Sequence, residues 1–309
     1  MRTARLAALL SLAVGLASGS IAAQQSSGDR IRVQVEAVNV LVTVNSEGDG
    51  AFIKDLQKSD FEVLENGMRQ TITNFSRQTN LPLTIALCVD TSSSVKVKLD
   101  FEKEAALDFL FTIMRPGDRA LLAEFDTGVT LLHDYTSSPN DLAAEIKNLR
   151  AGGGTSLYDA VYLVSEEKML HETGRRTMVI LSDGSDLTSS HTFDEALRMA
   201  QRAELSIYAV STTRFGADID HEGDNALKQL AEATGGRVFF PFSPTDFSKA
   251  FASIEQELRS QYNLAYVPTN RNGDGSFREI KVLVHRSGVH VRHRKGYYAP
   301  QAGEAGEGN

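Results

Sequence analysis

The pattern of apolar and polar residues differs between the middle of this chain and its two flanks. In the middle, apolar runs typical of buried strands are followed by segments with helical spacing. Continuous apolar runs lie at Leu83–Val89 and Met178–Leu181, with shorter ones at 120–125 and 205–210, and a short strand is predicted at 237–240. Helical spacing of apolar residues predicts helices near 99–113, 141–149, 157–170, 193–203, 225–233 and 246–258. Strands that are apolar on both faces are typical of a parallel sheet with helices packed on each side. The middle of the chain is therefore predicted to be α/β, with a doubly wound, mainly parallel sheet.

The two flanks show the period of two that is typical of half-buried β-strands. Valines alternate with polar residues from Val38 to Val44, and Asn66-Gly67 predicts a hairpin between strands at 61–64 and 68–75. Further strands are predicted at 262–267, 277–284 and 289–291. Neither flank has enough strands for a core of its own. We therefore expect the two flanks to pair into one β-sandwich-like domain.

The first residues have the pattern of a secretory signal peptide. Arg2 and Arg5 precede an apolar stretch from Leu6 to Ala17, and small residues follow up to Ala23. This stretch is too short to span a bilayer comfortably, and no comparable run occurs later. No cysteine lies near the expected cleavage point, where lipid attachment would need one. We expect a secreted or periplasmic protein without a transmembrane helix after the signal peptide.

These patterns predict a division of the chain into five parts. They are a signal peptide at 1–23, an N-terminal β segment at 24–80, an α/β domain at 81–260, a C-terminal β segment at 261–300 that pairs with 24–80, and a disordered tail at 301–309. A chain of this length suits one larger and one smaller domain better than a single core.

The charge of the chain argues against nucleic acid as a partner. The formal net charge is −8, and it becomes −10 once Arg2 and Arg5 leave with the signal peptide. Basic residues cluster near the C-terminal end, at Arg286, His290, Arg292, His293, Arg294 and Lys295. They alternate with Val289 and Val291, which is typical of a solvated strand face, and no aromatic residues are interleaved. We expect no nucleic-acid binding.

Three segments carry oxygen-bearing side chains at the ends of predicted strands or before a helix. The first strand leads into an Asp-x-Ser-x-Ser sequence formed by Asp90, Ser92 and Ser94. A glycine-rich loop precedes Thr155, and a later apolar strand leads to Asp183. In an open parallel sheet the ligand crevice lies at the carboxyl ends of the strands. The groups are therefore expected to converge, and carboxylate and hydroxyl oxygens select hard cations such as Mg²⁺, Mn²⁺ or Ca²⁺.

This combination resembles the metal-ion-dependent adhesion site of von Willebrand factor type A domains, a family with a Rossmann-like sheet, over roughly residues 81–260. The resemblance implies that Ser92, Ser94 and Thr155 are hydroxyl ligands of Mg²⁺ (or Mn²⁺ or Ca²⁺). It implies that Asp90 and Asp183 act on the ion directly or through water. The partner would then be a protein that offers an Asp or Glu carboxylate to the metal, in adhesion-type binding without catalysis.

The flanks add a second resemblance. Residues 60–67, Asp-Phe-Glu-Val-Leu-Glu-Asn-Gly, are similar to a stretch that precedes the same module in a bacterial group of exported von Willebrand factor A-related proteins. The end of the chain at 293–300 is similar to that group as well. The resemblance implies export and leaves the partner and the oligomeric state open.

Two other interpretations stay open. Ser, Thr and Asp at strand ends commonly cap helices or close turns, in which case the chain is an envelope scaffold whose metal site is absent or purely structural. A hydrolase is the second alternative. A phosphatase with a nucleophilic Asp90 would need a second Asp two residues on, and that position is Ser92. The sequence also lacks the G-x-S-x-G and H-E-x-x-H motifs, so we expect no enzyme.

Overall fold

The computed structural model describes residues 37–77, 81–213 and 221–301. Its strands are β1 (Val38–Ser46), β2 (Phe61–Glu65), β3 (Met68–Gln70), β4 (Ile72–Arg77), β5 (Leu83–Asp90), β6 (Arg119–Phe125), β7 (Val129–Thr136), β8 (Arg175–Ser182), β9 (Ser206–Ser211), β10 (Val238–Phe239), β11 (Tyr262–Tyr266), β12 (Phe277–Val284), β13 (Val289–Arg292) and β14 (Gly296–Tyr298). Its helices are α1 (Leu99–Ile113), α2 (Pro139–Asn148), α3 (Leu157–Leu163), α4 (Phe193–Arg202), α5 (His221–Thr234) and α6 (Pro244–Leu258). Short 3₁₀ turns lie at Lys58–Asp60 and Ser93–Val95, and a π-helical turn at Val164–Met169 continues α3. None of the helices in these ranges is long and apolar enough to cross a membrane.

Six strands form a central sheet in the order β10-β9-β8-β5-β6-β7. Neighbouring strands are parallel except β6 and β7, which are antiparallel. All residues of the central strand β5 are buried. One face packs against α1 and α6, where Phe109 and Phe251 meet, and the other face carries a second core that includes Leu157 and Leu227. The predicted α/β fold with a doubly wound, mainly parallel sheet is confirmed.

One strand of this sheet was not predicted from the sequence. β7 is an antiparallel edge strand, and none of its residues is fully buried. Its sequence mixes apolar residues with threonine, histidine and aspartate, so it lacks the apolar run that marks the central strands. An edge strand has a neighbour on one side only. Its pairing with β6, and not the burial of its side chains, defines it.

Two antiparallel four-stranded sheets flank the central sheet in sequence, with the orders β13-β1-β11-β4 and β14-β12-β2-β3. Each sheet combines strands from both ends of the chain. Val40 of β1 lies opposite Leu264 of β11, and Val63 of β2 lies opposite Val282 of β12. Their inner side chains form a third core around Tyr262. The predicted sandwich-like part built from both flanks is confirmed.

The predicted division into five parts stays a prediction. The proposed signal peptide at 1–23 lies outside the described residues, and so do residues 302–309 of the proposed tail.

The predicted strand at 68–75 is in fact two strands that belong to different sheets. β3 pairs with β2, whereas β4 pairs with β11. Thr71 separates them and is exposed, while Gln70 and Ile72 on either side are buried. The chain therefore crosses from one sheet of the sandwich to the other at Thr71, and a continuous β-type sequence conceals this corner.

The basic residues at the C-terminal end are partly used inside the protein. Arg292 pairs with Glu257 at 2.5 Å, and Arg294 pairs with Glu204 at 2.9 Å. Arg294 is buried. The expectation of a solvated strand face is therefore wrong for these two arginines, which join the sandwich to the central sheet.

Candidate metal site

β5 carries Asp90 to the carboxyl edge of the central sheet, between β6 and β8. Its side chain has no exposed surface. Oδ1 accepts a hydrogen bond of 2.8 Å from the backbone N–H of Ser92, and Oδ2 accepts one of 2.6 Å from the hydroxyl of Ser182. These bonds orient the carboxylate, and the second one links the end of β5 directly to the end of β8.

The 3₁₀ turn after β5 brings two of the predicted hydroxyl groups together. Ser92 Oγ and Ser94 Oγ are 2.9 Å apart, within hydrogen-bond distance. Ser92 is buried, whereas Ser94 is exposed. Val95 is fully buried and anchors the turn. The pair of hydroxyls thus reaches from the buried carboxylate of Asp90 towards solvent.

The glycine-rich loop before α3 lies against this turn. Ser93 donates hydrogen bonds from its N–H and its hydroxyl to the carbonyl of Gly153, at 3.2 and 2.9 Å. Gly153 has a φ of +77°, and a Cβ there would lie 2.8 Å from Oγ1 of Thr127, so the loop requires glycine. Two residues on, Thr155 is buried. This loop therefore brings Thr155 to the edge of the sheet that carries Asp90.

Asp183 follows β8 directly and is 7% exposed. Its Oδ1 accepts a hydrogen bond of 3.2 Å from the N–H of Ser185. The same loop is tied to the glycine-rich one, because the carbonyl of Thr155 accepts hydrogen bonds from the N–H groups of Leu187 and Thr188, at 2.8 and 3.1 Å. Hydrogen bonds thus connect all three segments that carry the predicted ligands. Their assignment to a metal stays a prediction.

Two acidic side chains, Asp90 and Asp183, are buried at this edge of the sheet. Burial raises the pKa of Asp90 from 3.8 to about 6, against the opposing effect of the hydrogen bonds from Ser182 and Ser92. The charge of nearby Asp183 raises it further. Neither aspartate forms an ion pair with another residue in the described part of the chain.

The residues present fit a divalent cation if hydroxyl groups take part in binding it. Within residues 37–77, 81–213 and 221–301, no three His, Cys, Asp or Glu side chains lie close enough together to hold a metal by themselves. Two carboxylates and three hydroxyls, from Asp90, Ser92, Ser94, Thr155 and Asp183, make an all-oxygen set. Such a set suits Mg²⁺, Mn²⁺ or Ca²⁺.

One buried acidic residue near this edge was not predicted. Glu102 lies in α1, and its side chain has no exposed surface. Burial raises its pKa well above its ordinary value, and the charges of Asp90 and Asp183 add to the rise. A signal was present in the sequence, because position 102 lies three residues after Leu99 and four before Ala106, on the apolar stripe of the helix. A carboxylate at a core position of an amphipathic helix calls for an explanation.

Two further acidic residues near the rim have local roles. The carboxylate oxygens of Asp159 accept hydrogen bonds from the N–H groups of Ser190 and His191, at 3.0 and 2.9 Å. Asp186 accepts one of 2.9 Å from the N–H of Tyr158, at the start of α3. Both residues therefore hold the loop between β8 and α4 against α3.

Comparison with known proteins gives a match to one family model over about a third of the chain. A family model described as von Willebrand factor type A domain matches residues 85–185, which include all five predicted ligands. No curated protein sequence matches the chain.

Several solved structures are similar to this chain at low sequence identity. Proximal thread matrix protein 1 from the mussel byssus, with a zinc-occupied MIDAS motif, is 17% identical with a TM-score of 0.50, and the match covers 63% of this chain and 49% of that one. A von Willebrand factor type A protein from Catenulispora acidiphila is 12% identical with a TM-score of 0.49, covering 89% of this chain and 76% of that one. The PilB minor pilin from Streptococcus sanguinis is 13% identical with a TM-score of 0.47, covering 59% of this chain and 62% of that one. This chain thus spans less than two thirds of the pilin and about half of the thread protein.

Proposed function

We propose that the chain contains a von Willebrand factor type A domain and is an exported protein-binding module whose divalent cation bridges to an acidic residue of a partner protein. The observation that carries this proposal is the network of hydrogen bonds that joins the three loops carrying Asp90, Thr155 and Asp183 at one edge of the central sheet. Bound there, the ion would supply a positive centre with exchangeable water molecules. A carboxylate from outside would replace one of them.

The proposed ligands differ in burial, and we assign them different roles. Asp90 is fully buried and held by two hydrogen bonds, so it would set the position of the ion. Ser94 is exposed and would hold the ion on the solvent side. Because the three hydroxyl ligands are neutral, they leave much of the charge of the ion available for a partner's carboxylate.

The rim around this edge supports a protein as the partner. Val97, in the loop before α1, is 88% exposed, and Leu187, in the loop after β8, is 76% exposed. The Leu187 loop is bonded to Thr155, so it borders the proposed metal position. Exposed Lys96 precedes Val97. We propose that the partner segment has an acidic residue with apolar neighbours, since apolar contacts flanking a polar anchor are typical of protein interfaces.

We propose binding without catalysis because of the residue at position 92, which is a serine. This residue stands where a phosphatase with a nucleophilic aspartate has its general acid. Its hydroxyl lies against that of Ser94, and its N–H holds Asp90. A hydroxyl in this position cannot protonate a leaving group efficiently, whereas it suits the shell of a metal.

Isothermal titration of the purified protein with Mn²⁺, with and without acetate, tests the proposal. We expect saturable binding that acetate strengthens, because acetate imitates the partner's carboxylate. Asp183→Ala should abolish it. Asp126→Asn is the matched control, because Asp126 follows the neighbouring strand β6 and its Oδ1 accepts a hydrogen bond from Gly128 at the turn. That variant should bind Mn²⁺ like the wild type.

Two outcomes would contradict the proposal. If the folded wild type binds no Mn²⁺ in either buffer, the metal site is wrong. If Mn²⁺ raises the stability of the protein but acetate has no effect on its binding, the ion is structural and the chain is better described as a scaffold.

A further inference from the structure

Glu102 occupies a position that an apolar residue would normally fill. It shares the buried face of α1 with Leu99, Ala106 and Phe109, which pack in the core between the helices and the sheet. Its backbone N–H donates a hydrogen bond to the carbonyl of Lys98 as part of the helix start. The side chain is therefore directed into the protein, and the charges of Asp90 and Asp183 act on its carboxyl group.

Both carboxylate oxygens of Glu102 lack a well-formed hydrogen bond among the described residues. The fully buried hydroxyl of Thr212 lies close enough to Glu102 to oppose the rise in its pKa, but it also lacks a well-formed hydrogen bond in the same part of the chain. Thr212 lies just beyond β9, and its N–H donates to the carbonyl of Ser182 at 3.0 Å. Burying polar atoms without partners is energetically costly. Such atoms in a native structure indicate a ligand or water that completes them.

No ion pair in the described ranges compensates Glu102 either. The positive charge that acts on Glu102 is that of Lys98, directly before α1. Lys98 is partly exposed and forms no ion pair with Glu102. Asp90, Asp183 and Glu102 thus place three carboxyl groups within electrostatic reach of one another, with burial around all three.

We propose that Glu102 is a sixth side chain of the metal site, which acts on the bound cation through water and raises the affinity of the site for it. The inference rests on the proposed metal binding. An indirect role follows from the absence, within the described residues, of any three acidic side chains close enough to bind one ion directly. Carboxylates behind the ligands of a metal commonly orient those ligands or the metal's water molecules. Here the ion in turn compensates the buried carboxylate.

The experiment compares Mn²⁺ titrations of the wild type and Glu102→Gln. The substitution keeps the shape and removes the charge, so we expect the Kd for Mn²⁺ to rise by about 10-fold to 100-fold, as for outer-shell carboxylates of other metal sites. Glu65→Gln is the matched control, because Glu65 is equally buried but lies in the sandwich and accepts hydrogen bonds from Tyr266 and Tyr297. That variant should lose stability without any change in the Kd.

Thermal unfolding in EDTA and in Mn²⁺ gives a second measurement that does not depend on Glu102→Gln alone. Glu102→Met replaces the carboxylate with an apolar side chain of similar length. We expect its Tm in EDTA to equal or exceed that of the wild type, and the increase in Tm produced by Mn²⁺ to be smaller. A purely structural glutamate predicts the reverse, with a lower Tm in EDTA and an unchanged increase in Mn²⁺.

The outcomes separate this inference from the proposed function. If the wild type and Glu102→Gln bind Mn²⁺ equally, the inference is wrong and the metal site stands. If Glu102→Gln binds Mn²⁺ more weakly but acetate does not affect either protein, the inference stands and the bridging function is wrong. If the wild type binds no Mn²⁺, both are wrong.

Discussion

Buried acidic side chains have different surroundings in two regions of this protein. In the sandwich and where it joins the central sheet, the chain itself supplies their partners. Glu65 accepts hydrogen bonds from the hydroxyls of Tyr266 and Tyr297, at 2.8 and 2.9 Å. Glu257 pairs with Arg292 at 2.5 Å and also accepts a hydrogen bond from a tyrosine. These carboxylates hold strands and helices together.

At the carboxyl edge of the central sheet the partners are missing from the described residues. Asp90 and Asp183 are hydrogen-bonded to serine groups but have no ion pair there, and Glu102 has no ion pair and no well-formed hydrogen bond in the same ranges. Removing one partner of a buried charge is strongly destabilising, because the remaining charge is uncompensated. The difference teaches that residues of the chain pair the buried acids of the first region, whereas the proposed function assigns the buried acids of the second to a cation.

Removing the partner of a paired acid should have the largest effect. Arg259 and Asp118 form a buried ion pair, and Arg259 also donates a hydrogen bond of 2.8 Å to the carbonyl of Ile113. We expect Arg259→Ala to lower the free energy of unfolding by ~3–5 kcal/mol, measured by urea titration, because Asp118 stays buried without its cation. Mn²⁺ should stabilise variant and wild type by equal amounts. A loss below about 1 kcal/mol would contradict the importance of this pair.

The pH dependence of stability should reveal the uncompensated charge at the site. Asp90 has its pKa raised from 3.8 to about 6 by burial, so the native state keeps its proton at pH values where the unfolded state has lost it. In EDTA, this residue therefore makes the protein less stable as the pH rises from about 4 to about 6, by up to ~3 kcal/mol. In saturating Mn²⁺ the trend should reverse, because the ion binds the ionised form.

Asp90→Asn is the control for this prediction, and urea unfolding at several pH values is the measurement. The variant should lose the part of the slope that Asp90 contributes. Identical pH profiles of the wild type and Asp90→Asn in EDTA would show that Asp90 does not carry an uncompensated charge.

The conformation of the glycine-rich loop should have a smaller effect. Gly153→Ala introduces a Cβ 2.8 Å from Oγ1 of Thr127, at a φ of +77°. We expect a loss of ~1–2 kcal/mol in the free energy of unfolding and weaker Mn²⁺ binding, since Thr155 shifts with the loop. Gly128→Ala is the matched control, because a Cβ at Gly128 meets no atom within 4 Å. If both substitutions affect Mn²⁺ binding equally, Thr155 is not a ligand of the metal.

The exposed hydroxyl should have the smallest effect. Ser94→Ala removes a predicted ligand on the solvent side, and we expect up to about tenfold weaker Mn²⁺ binding. The free energy of unfolding should change by less than about 0.5 kcal/mol, as for other surface substitutions. Ser253→Ala, at a partly exposed position of α6 where the hydroxyl donates a hydrogen bond to the carbonyl of Lys249, is the control and should leave Mn²⁺ binding unchanged. Unchanged Mn²⁺ binding by Ser94→Ala would remove Ser94 from the set of ligands.

Local patterns in the sequence were enough to predict the part of the molecule that surrounds the site. The apolar run of β5 leads straight into Asp90, and the run of β8 leads to Asp183, so both carboxylates reach the same edge of a parallel sheet. The Asp-x-Ser-x-Ser spacing and the glycine-rich loop were visible for the same reason, since each depends on a few consecutive residues. The number and type of the main elements followed from hydrophobic periodicity, which reports burial directly.

Only the tertiary structure decided features that depend on distant neighbours. β7 is a strand because β6 offers it a partner, and the corner at Thr71 exists because the two sheets of the sandwich diverge there. The surroundings of the Glu102 side chain also depend on distant neighbours. Its spacing on α1 shows that it is buried, but only the tertiary structure shows that the charges of Asp90 and Asp183 act on it. Periodicity records whether a side chain leaves water, whereas the identity of what it meets depends on residues far away in the chain.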